Sequence, residues 1–386
     1  APAFGWGKIK SIPGKASITL NFKEDTIINI PNFSIDAADL KVRGKVGFKK
    51  GGGVLKRIDF TEIVYGRTNI RGVLIPRKID GWDAGFYGSS FELTPIWNEI
   101  FNKKSEYGQS INKELPYLNL AVELDRVWIS KKVSLNNIAG TFLHEKDVWN
   151  TVLLKGDMAK EKPFELTIRP SSDGNRDFVM TASDAGEALR IMEFYDEMQG
   201  GKMQITGKYN DKNPDRPLIG KMNISDYHII DAPYLARALS IMSLTGILDE
   251  LEGGGLKFSY LEIPFIKNLG EIEIKDANAS GTSIGFTGSG TIYTYANVID
   301  ISGTVIPAYF LNSALGHLPI IGKILTGVDK GSGMIAFNYS MNGSTDEPNI
   351  TVNPLSALTP GIFRNVFDLF GQEEKDTNIN STGGMQ

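Results

Sequence analysis

The sequence contains one arrangement of residues that could perform nucleophilic catalysis. Residues 281–285 read Gly-Thr-Ser-Ile-Gly, and Asp300 and His317 follow in the serine, aspartate, histidine order of the α/β-hydrolases. That motif needs a sharp turn leading directly into a helix. The residues from Ser283 onward, SIGFTGSGTIYTY, instead alternate in the manner of a strand. We therefore expect no catalytic residue here and keep a serine esterase only as a distant alternative.

The other residues that could bind a metal, a cofactor or nucleic acid are isolated. His144 and His228 have no second histidine or paired carboxylate at metal-ligand spacing, and the sequence has no cysteine. It has no phosphate-binding loop and no dinucleotide fingerprint. With 45 acidic and 41 basic side chains, the chain lacks the basic excess that nucleic acid binding needs. We expect no enzyme activity, no metal, no cofactor and no nucleic acid partner.

The elements that would position any site are mainly strands. The 386 residues are 41% hydrophobic and 22% charged, which is ordinary globular composition. Residues 16–22 and 164–169 alternate apolar and polar side chains, as half-buried strands do. In a recurring variant, apolar residues at alternate positions are followed by glycine two residues later. These repeats give the candidate lining residues Val42, Gly44, Val46, Ile70, Leu154, Ile205, Gly207, Phe286, Ile301, Gly303 and Val305.

Because side chains alternate between the two faces of a strand, the repeated glycines share a face with the apolar residues. Glycine within a strand usually marks a bulge, a bend or a close approach to the backbone. Two interpretations stay open: irregularities in stacked sheets, or a strongly curved sheet whose glycines leave room for a ligand. About 20 strands at ~4.8 Å each would extend ~100 Å. The prediction is a mainly β fold, an elongated and strongly curved antiparallel sheet forming an apolar groove, capped by a few amphipathic helices.

Helices are predicted near residues 184–199, 233–251, 307–326 and 360–370. The second carries an unusually wide apolar arc that includes Leu235, Leu239 and Met242. The third overlaps a long apolar stretch, but its prolines and glycines make a membrane span improbable and favour a short helix hairpin covering the groove. The last holds Phe363, Phe367 and Phe370, which would cap the groove or contact a partner or membrane surface. Packing in the core is the alternative for each.

Three long blocks resemble one known family. Residues 231–265, 306–327 and 353–364 read DAPYLARALSIMSLTGILDELEGGGLKFSYLEIPF, IPAYFLNSALGHLPIIGKILTG and NPLSALTPGIFR. In this order and spacing they resemble the AsmA-like C-terminal region of YhdP-type bacterial envelope proteins. The resemblance covers roughly residues 180–370, and the upstream glycine repeats resemble the preceding sheet of that family. The matching motif positions, for which the family implies an architectural role, are Pro307, Tyr309, Asn312, Gly316, Pro319, Gly322, Gly327, Pro354, Pro360 and Gly361.

The resemblance implies a bridge-like lipid transfer protein that carries phospholipid along an apolar β-groove between the inner and outer membranes. The family's inner-membrane anchor is absent from this sequence, so the chain would be the C-terminal end of a longer periplasmic bridge, near the outer membrane. Envelope proteins are possible partners. The expected organisation is an N-terminal groove segment (1–115), the family region (116–370) and a flexible tail (371–386). The alternative is a structural or assembly factor of the envelope whose apolar face is filled core.

Overall fold

The computed structural model describes residues 13–101, 116–159, 161–307 and 336–353. These residues form one long, open, curved sheet of 19 strands with few helices, which confirms the predicted fold class. Each strand pairs with the next along the chain, and all neighbours are antiparallel except β6 and β7, which are parallel.

The strands are long, and most of them have ten or more residues. From the N-terminus they are β1 (Gly14–Lys23), β2 (Thr26–Ala37), β3 (Leu40–Phe48), β4 (Leu55–Tyr65), β5 (Thr68–Pro76), β6 (Trp82–Glu92), β7 (Leu118–Trp128), β8 (Ser134–Glu145), β9 (Val148–Asp157) and β10 (Pro163–Pro170). They continue as β11 (Arg176–Ala182), β12 (Met198–Tyr209), β13 (Leu218–Ile229), β14 (Leu256–Asn268), β15 (Glu271–Gly281), β16 (Ile284–Tyr293), β17 (Val298–Pro307), β18 (Phe337–Ser344) and β19 (Pro348–Asn353).

The described helices are short: α1 (Thr94–Phe101), α2 (Ala185–Ile191), α3 (Pro233–Ile241) and α4 (Thr245–Gly254). α1, which begins at a Thr-Pro pair, was missed in the sequence. Among the described residues no helix is long enough, with enough apolar residues, to cross a bilayer.

α2 starts where the sequence predicts and ends earlier. The Asp184 carboxylate accepts a hydrogen bond from the Glu187 backbone N–H at 2.8 Å, which is the expected N-cap. Glu193 then adopts a left-handed conformation (φ 57°), and the Phe194 N–H bonds back to the Leu189 carbonyl. Residues 192–199 of the predicted helix are therefore not helical, and β12 begins at Met198.

The predicted helix 233–251 is two helices. Pro233 opens α3 as expected, but Ser243 has a positive φ of 58°, and the chain turns before α4 begins at Thr245. This turn explains the wide apolar arc, because two short helices can bury side chains that one straight helix would spread around its circumference. The helices predicted at 307–326 and 360–370 and the tail 371–386 lie outside the described residues, apart from Pro307, which is the last residue of β17.

The sheet continues across the boundary that the sequence placed at residues 115–116. β6 and β7 pair in parallel from Trp82 opposite Leu118 to Glu92 opposite Trp128. The N-terminal and C-terminal portions therefore share one sheet in the described part of the chain.

The two long edges of the sheet differ. All four described helices follow or precede strand ends on one edge, which we call the helix edge: α1 follows β6, α2 follows β11, and α3 and α4 join β13 to β14. The opposite edge, which we call the turn edge, carries short turns such as those between β8 and β9, β14 and β15, and β16 and β17. The helices thus lie along one edge of the sheet only, where short turns also join other strands, such as β2 to β3 and β15 to β16.

Candidate binding face

The structure places all eleven candidate lining residues on one face of the sheet. Residues that are directly opposite each other in paired strands project to the same side. Tracing this pairing from strand to strand links the candidates from Val42 in β3 to Val305 in β17, and we call their side the apolar face. One row of partners across β2–β14 reads Phe33, Gly44, Phe60, Gly72, Phe86, Val122, Gly140, Leu154, Leu166, Met180, Ile205, Met222 and Ile263.

A neighbouring row continues this face to the last described strand. It reads Gly220, Phe265, Ile274, Gly290, Ile301, Met341 and Ile350, from β13 to β19. An apolar surface therefore runs uninterrupted through the whole width of the sheet. Period-two patterning within each strand could indicate an apolar face for that strand, but only the register shows that the faces join.

Burial on the apolar face falls from the helix edge to the middle of the sheet and rises again at parts of the turn edge, where Leu218 and Ile168 are 5% and 8% exposed. Near the helices, Met203, Ile224 and Val305 are at most 2% exposed, and Leu239 of α3 is completely buried against them. Met242 is also buried there, and Leu235 packs on the same cluster while half-buried. Across the middle of the sheet, Val42, Val46, Leu154, Ile205, Phe286 and Ile301 are half-buried. The helices thus cover one margin of the face, and a band of partly accessible apolar side chains runs beside it.

Neighbouring side chains or backbone atoms pack closely against the glycines on this face, and the space above them is not open for a ligand. A Cβ at Gly44 would lie 2.6 Å from the Phe33 ring, and one at Gly140 would lie 2.8 Å from the Phe142 ring. A Cβ at Gly72 would overlap the Phe86 ring and the carbonyl oxygen of Gly85. At Gly303 the obstacle is the backbone of β16 itself. The space for a ligand that the curved-sheet interpretation expected is absent at these positions, where side chains or backbone of the neighbouring residues approach the glycines closely.

Three phenylalanine rings form an aromatic row in the N-terminal strands. Phe33 and Phe60 meet edge to face with centroids 6.1 Å apart, and Phe60 and Phe86 are 6.4 Å apart. Glycine alternates with phenylalanine along this row, and the Phe33 ring lies over Gly44 while the Phe86 ring lies over Gly72. The apolar face here is therefore aromatic and half-buried.

The opposite face is polar. Lys221 lies 2.8 Å from Glu262, and Arg43 lies 2.7 Å from Asp36. Between β3 and β7 this polar face also forms a shallow depression of about 800 Å³ whose lining includes Arg43, Glu62 and Arg71. Its charges are mixed, and the sequence pattern did not indicate it.

A buried polar cluster at the turn edge was also missed in the sequence. Arg176 of β11 donates two hydrogen bonds to the Asp211 carboxylate at 2.8 and 2.9 Å and one to the Trp149 carbonyl at 2.8 Å. Its guanidinium also lies 4.3 Å from the centre of the Tyr209 ring, and burial raises the pKa of that phenol. His144 is 1% exposed beside Trp149. The sequence gives little signal for this cluster, because its members lie on four separate segments.

The structure does not assemble the serine, aspartate and histidine considered above. The Ser283 hydroxyl donates to the Glu250 carboxylate and so connects α4 to the turn before β16. Asp300 pairs with Thr291, seven residues along β16 from Ile284, a separation of ~23 Å at the rise of a strand. His317 lies outside the described residues.

Most of the family-motif positions lie outside the described residues: Tyr309, Asn312, Gly316, Pro319, Gly322, Gly327, Pro354, Pro360 and Gly361. The three phenylalanines predicted to contact a partner or membrane, Phe363, Phe367 and Phe370, also lie outside them. Pro307 is buried at the helix edge end of β17, where it is opposite Ile284. In the described ranges no group of three or more His, Cys, Asp or Glu side chains could hold a metal ion. Comparisons of the chain with protein-family models, with curated proteins and with solved structures gave no match.

Proposed function

We propose that this protein binds phospholipid acyl chains along the apolar face and carries them between membranes. The observation that supports this most is the continuity of the face: paired apolar, aromatic and glycine positions run without a break from β2 to β19. A folded domain of this size can bury its apolar residues in a compact core. A single extended sheet with a half-buried apolar band is suited instead to a long apolar ligand.

Ordinary solvation supplies the affinity. Each CH₂ transferred from water to an apolar surface gains roughly 0.8 kcal/mol, so an acyl chain would stay on the face while its headgroup remains in water. The half-buried lining residues, among them Leu154, Ile205 and Phe286, are aliphatic or aromatic, and their side chains carry no hydrogen-bonding group. A chain could therefore move from strand to strand without breaking a specific interaction. The direction of movement would come from partner proteins or from lipid gradients.

We place this activity in the bacterial periplasm, with transfer between the inner and outer membranes. This part of the proposal rests on the three sequence blocks that resemble AsmA-like envelope proteins. By the same resemblance, the C-terminal end would face the outer membrane, and an inner-membrane anchor would belong to a longer form of the protein. A structural role in the envelope, without lipid transfer, is the competing function.

The test is phospholipid loading of the purified chain, measured by native mass spectrometry and lipid extraction without detergent. Ile205→Asp places a carboxylate on the apolar face in β12, and Gln204→Asp places the same group one residue away on the polar face. Ile301→Asp and Ser302→Asp form an equivalent pair in β17. We expect the apolar-face variants to lose most bound lipid and the polar-face variants to retain it.

Two results would count against the proposal. Equal loading within each pair, in variants whose hydrogen exchange matches the parent protein, would show that lipid does not lie on this face. A folded parent protein that neither holds lipid nor takes up added phospholipid would favour the structural role.

A further inference from the structure

Between β10 and β19, two charged side chains lie on the apolar face. This count covers the positions that are paired between the described strands. Tracing the register through these ten strands gives apolar, aromatic or glycine residues everywhere except Arg176 in β11 and Lys267 in β14. Both lie toward the turn edge. Arg176 is opposite Tyr209, Tyr209 is opposite Leu218, and Leu218 is opposite Lys267, so the two cations share one row.

The two cations differ in their partners. Arg176 is held by Asp211 in a two-bond ion pair and is only 8% exposed at its side chain. Lys267 has no ion pair and no side-chain hydrogen bond with any described residue, and its row neighbours are Leu218 and Ile272. The nearest acidic residues in sequence, Glu262 and Glu271, lie at positions that project from the polar face.

Lys267 is exposed on the apolar face, where Leu218 and Ile272 lie opposite it in the neighbouring strands. The residue is exposed, yet desolvation lowers the pKa of its ammonium, and no nearby charge contributes. The ammonium is thus an unpaired charge that stands beside apolar side chains and that a ligand can reach. An ammonium in such a place is usually accompanied by a carboxylate, because removing water from an unpaired charge costs free energy.

We propose that Lys267 binds the phosphate of an amphiphile whose acyl chains lie on the apolar face. This inference rests on the proposed function and adds to it a site and a ligand class: phosphate-bearing lipids in preference to neutral lipids with the same acyl chains. The position of Lys267 suits a ligand that has apolar chains and a charged phosphate. Phe265 and Ile263 continue along β14 from Lys267 toward the helix edge, so tails and phosphate would meet apolar side chains and the ammonium of the same strand.

The experiment compares two lipids with identical dioleoyl chains, phosphatidylglycerol and diacylglycerol, in equilibrium loading of the complete chain. Lys267→Gln removes the charge, and Lys267→Arg keeps it. Lys202→Gln is the matched control, since Lys202 is an exposed lysine on the polar face of β12. We expect Lys267→Gln to weaken phosphatidylglycerol binding five- to tenfold and to leave diacylglycerol binding unchanged. Lys267→Arg and Lys202→Gln should bind both lipids as the parent protein does.

The outcomes separate this inference from the function on which it rests. If the parent protein binds neither lipid, the proposed function fails. If the parent binds both and Lys267→Gln changes neither or weakens both equally, the function stands, and Lys267 only extends its stem over apolar surface toward water. Binding of inorganic phosphate that depends on Lys267, without a Lys267-dependent preference between the two lipids, would assign the site to free phosphate and overturn the lipid proposal.

Discussion

Replacing Gly72 with alanine tests whether aromatic rings pack against the glycines of the apolar face or whether these glycines leave space for a ligand. The new Cβ would overlap the Phe86 ring and the carbonyl oxygen of Gly85 in the adjacent strand. The ring can rotate, but the carbonyl belongs to the ladder between β5 and β6 and moves only if the strands separate. Overpacking of this kind costs about 1–3 kcal/mol. Gly72→Ala should therefore destabilise β4–β6.

Gly85 provides a matched control in the same strand pair. It lies opposite Val73, on the polar face, and a Cβ there would meet only the Val73 side chain at 3.8 Å, an ordinary contact. Because alanine loses less conformational entropy than glycine on folding, Gly85→Ala should stabilise the region by about 0.5–1 kcal/mol. The two variants should then differ by about 1.5–4 kcal/mol, with opposite signs relative to the parent protein.

Hydrogen exchange is the suitable assay, because it reads opening free energies locally in a sheet too long to assume two-state unfolding. Amides of β4–β6 should exchange faster in Gly72→Ala and no faster in Gly85→Ala, while β14–β17 should be unchanged in both. The reasoning would be refuted if Gly72→Ala kept the exchange rates of the parent protein and lost bound lipid. That result would mean that the glycine leaves space for a ligand.

Three further predictions concern single contacts. Arg176→Met leaves the Asp211 carboxylate without its partner at a largely buried site and should lower the local opening free energy of β11 and β12 by about 3 kcal/mol, measured by hydrogen exchange; a change below about 0.5 kcal/mol would contradict it. Burial raises the pKa of Tyr339 to about 12, so its contribution to stability is full below the ordinary tyrosine pKa of 10 and falls as pH rises toward 12. Tyr339→Phe should reduce the loss of stability over that range, and an identical pH profile would disprove this role. Ser283, engaged with Glu250, should not react with serine-directed fluorophosphonate probes, and labelling that disappears in Ser283→Ala would revive the esterase alternative.

The sequence was sufficient to predict the sheet because each strand carries its own alternation. Ile299, Ile301, Gly303 and Val305 lie on one face of β17 as the pattern indicated, and the same holds for the repeat in β3. The joining of the strands into one surface depends on register, which bulges such as the one between Phe60 and Ile63 adjust locally. Those adjustments leave no clear signal in a single sequence.

Two features escaped prediction for different reasons. The break between α3 and α4 depends on Ser243 adopting a positive φ, and serine gives no warning of this, since glycine is the usual residue there. The ion pair of Arg176 and Asp211 joins residues that are 35 positions apart, on β11 and beyond β12, so only the pairing of the strands brings them together. Local patterns identified strands and their faces, whereas contacts made across strands required the structure.

The central claim is that lipid tails lie along the apolar face, and photo-crosslinking with a phospholipid that carries a diazirine in its acyl chain tests it most directly. After loading and illumination, peptide mass spectrometry would map the labelled residues. The account predicts labels at apolar-face positions in well-separated strands, such as Val46, Ile205 and Ile301, and none at their polar-face neighbours Lys45, Gln204 and Ser302. Labels confined to the polar face, or no labels on a folded protein in the presence of excess lipid, would contradict it.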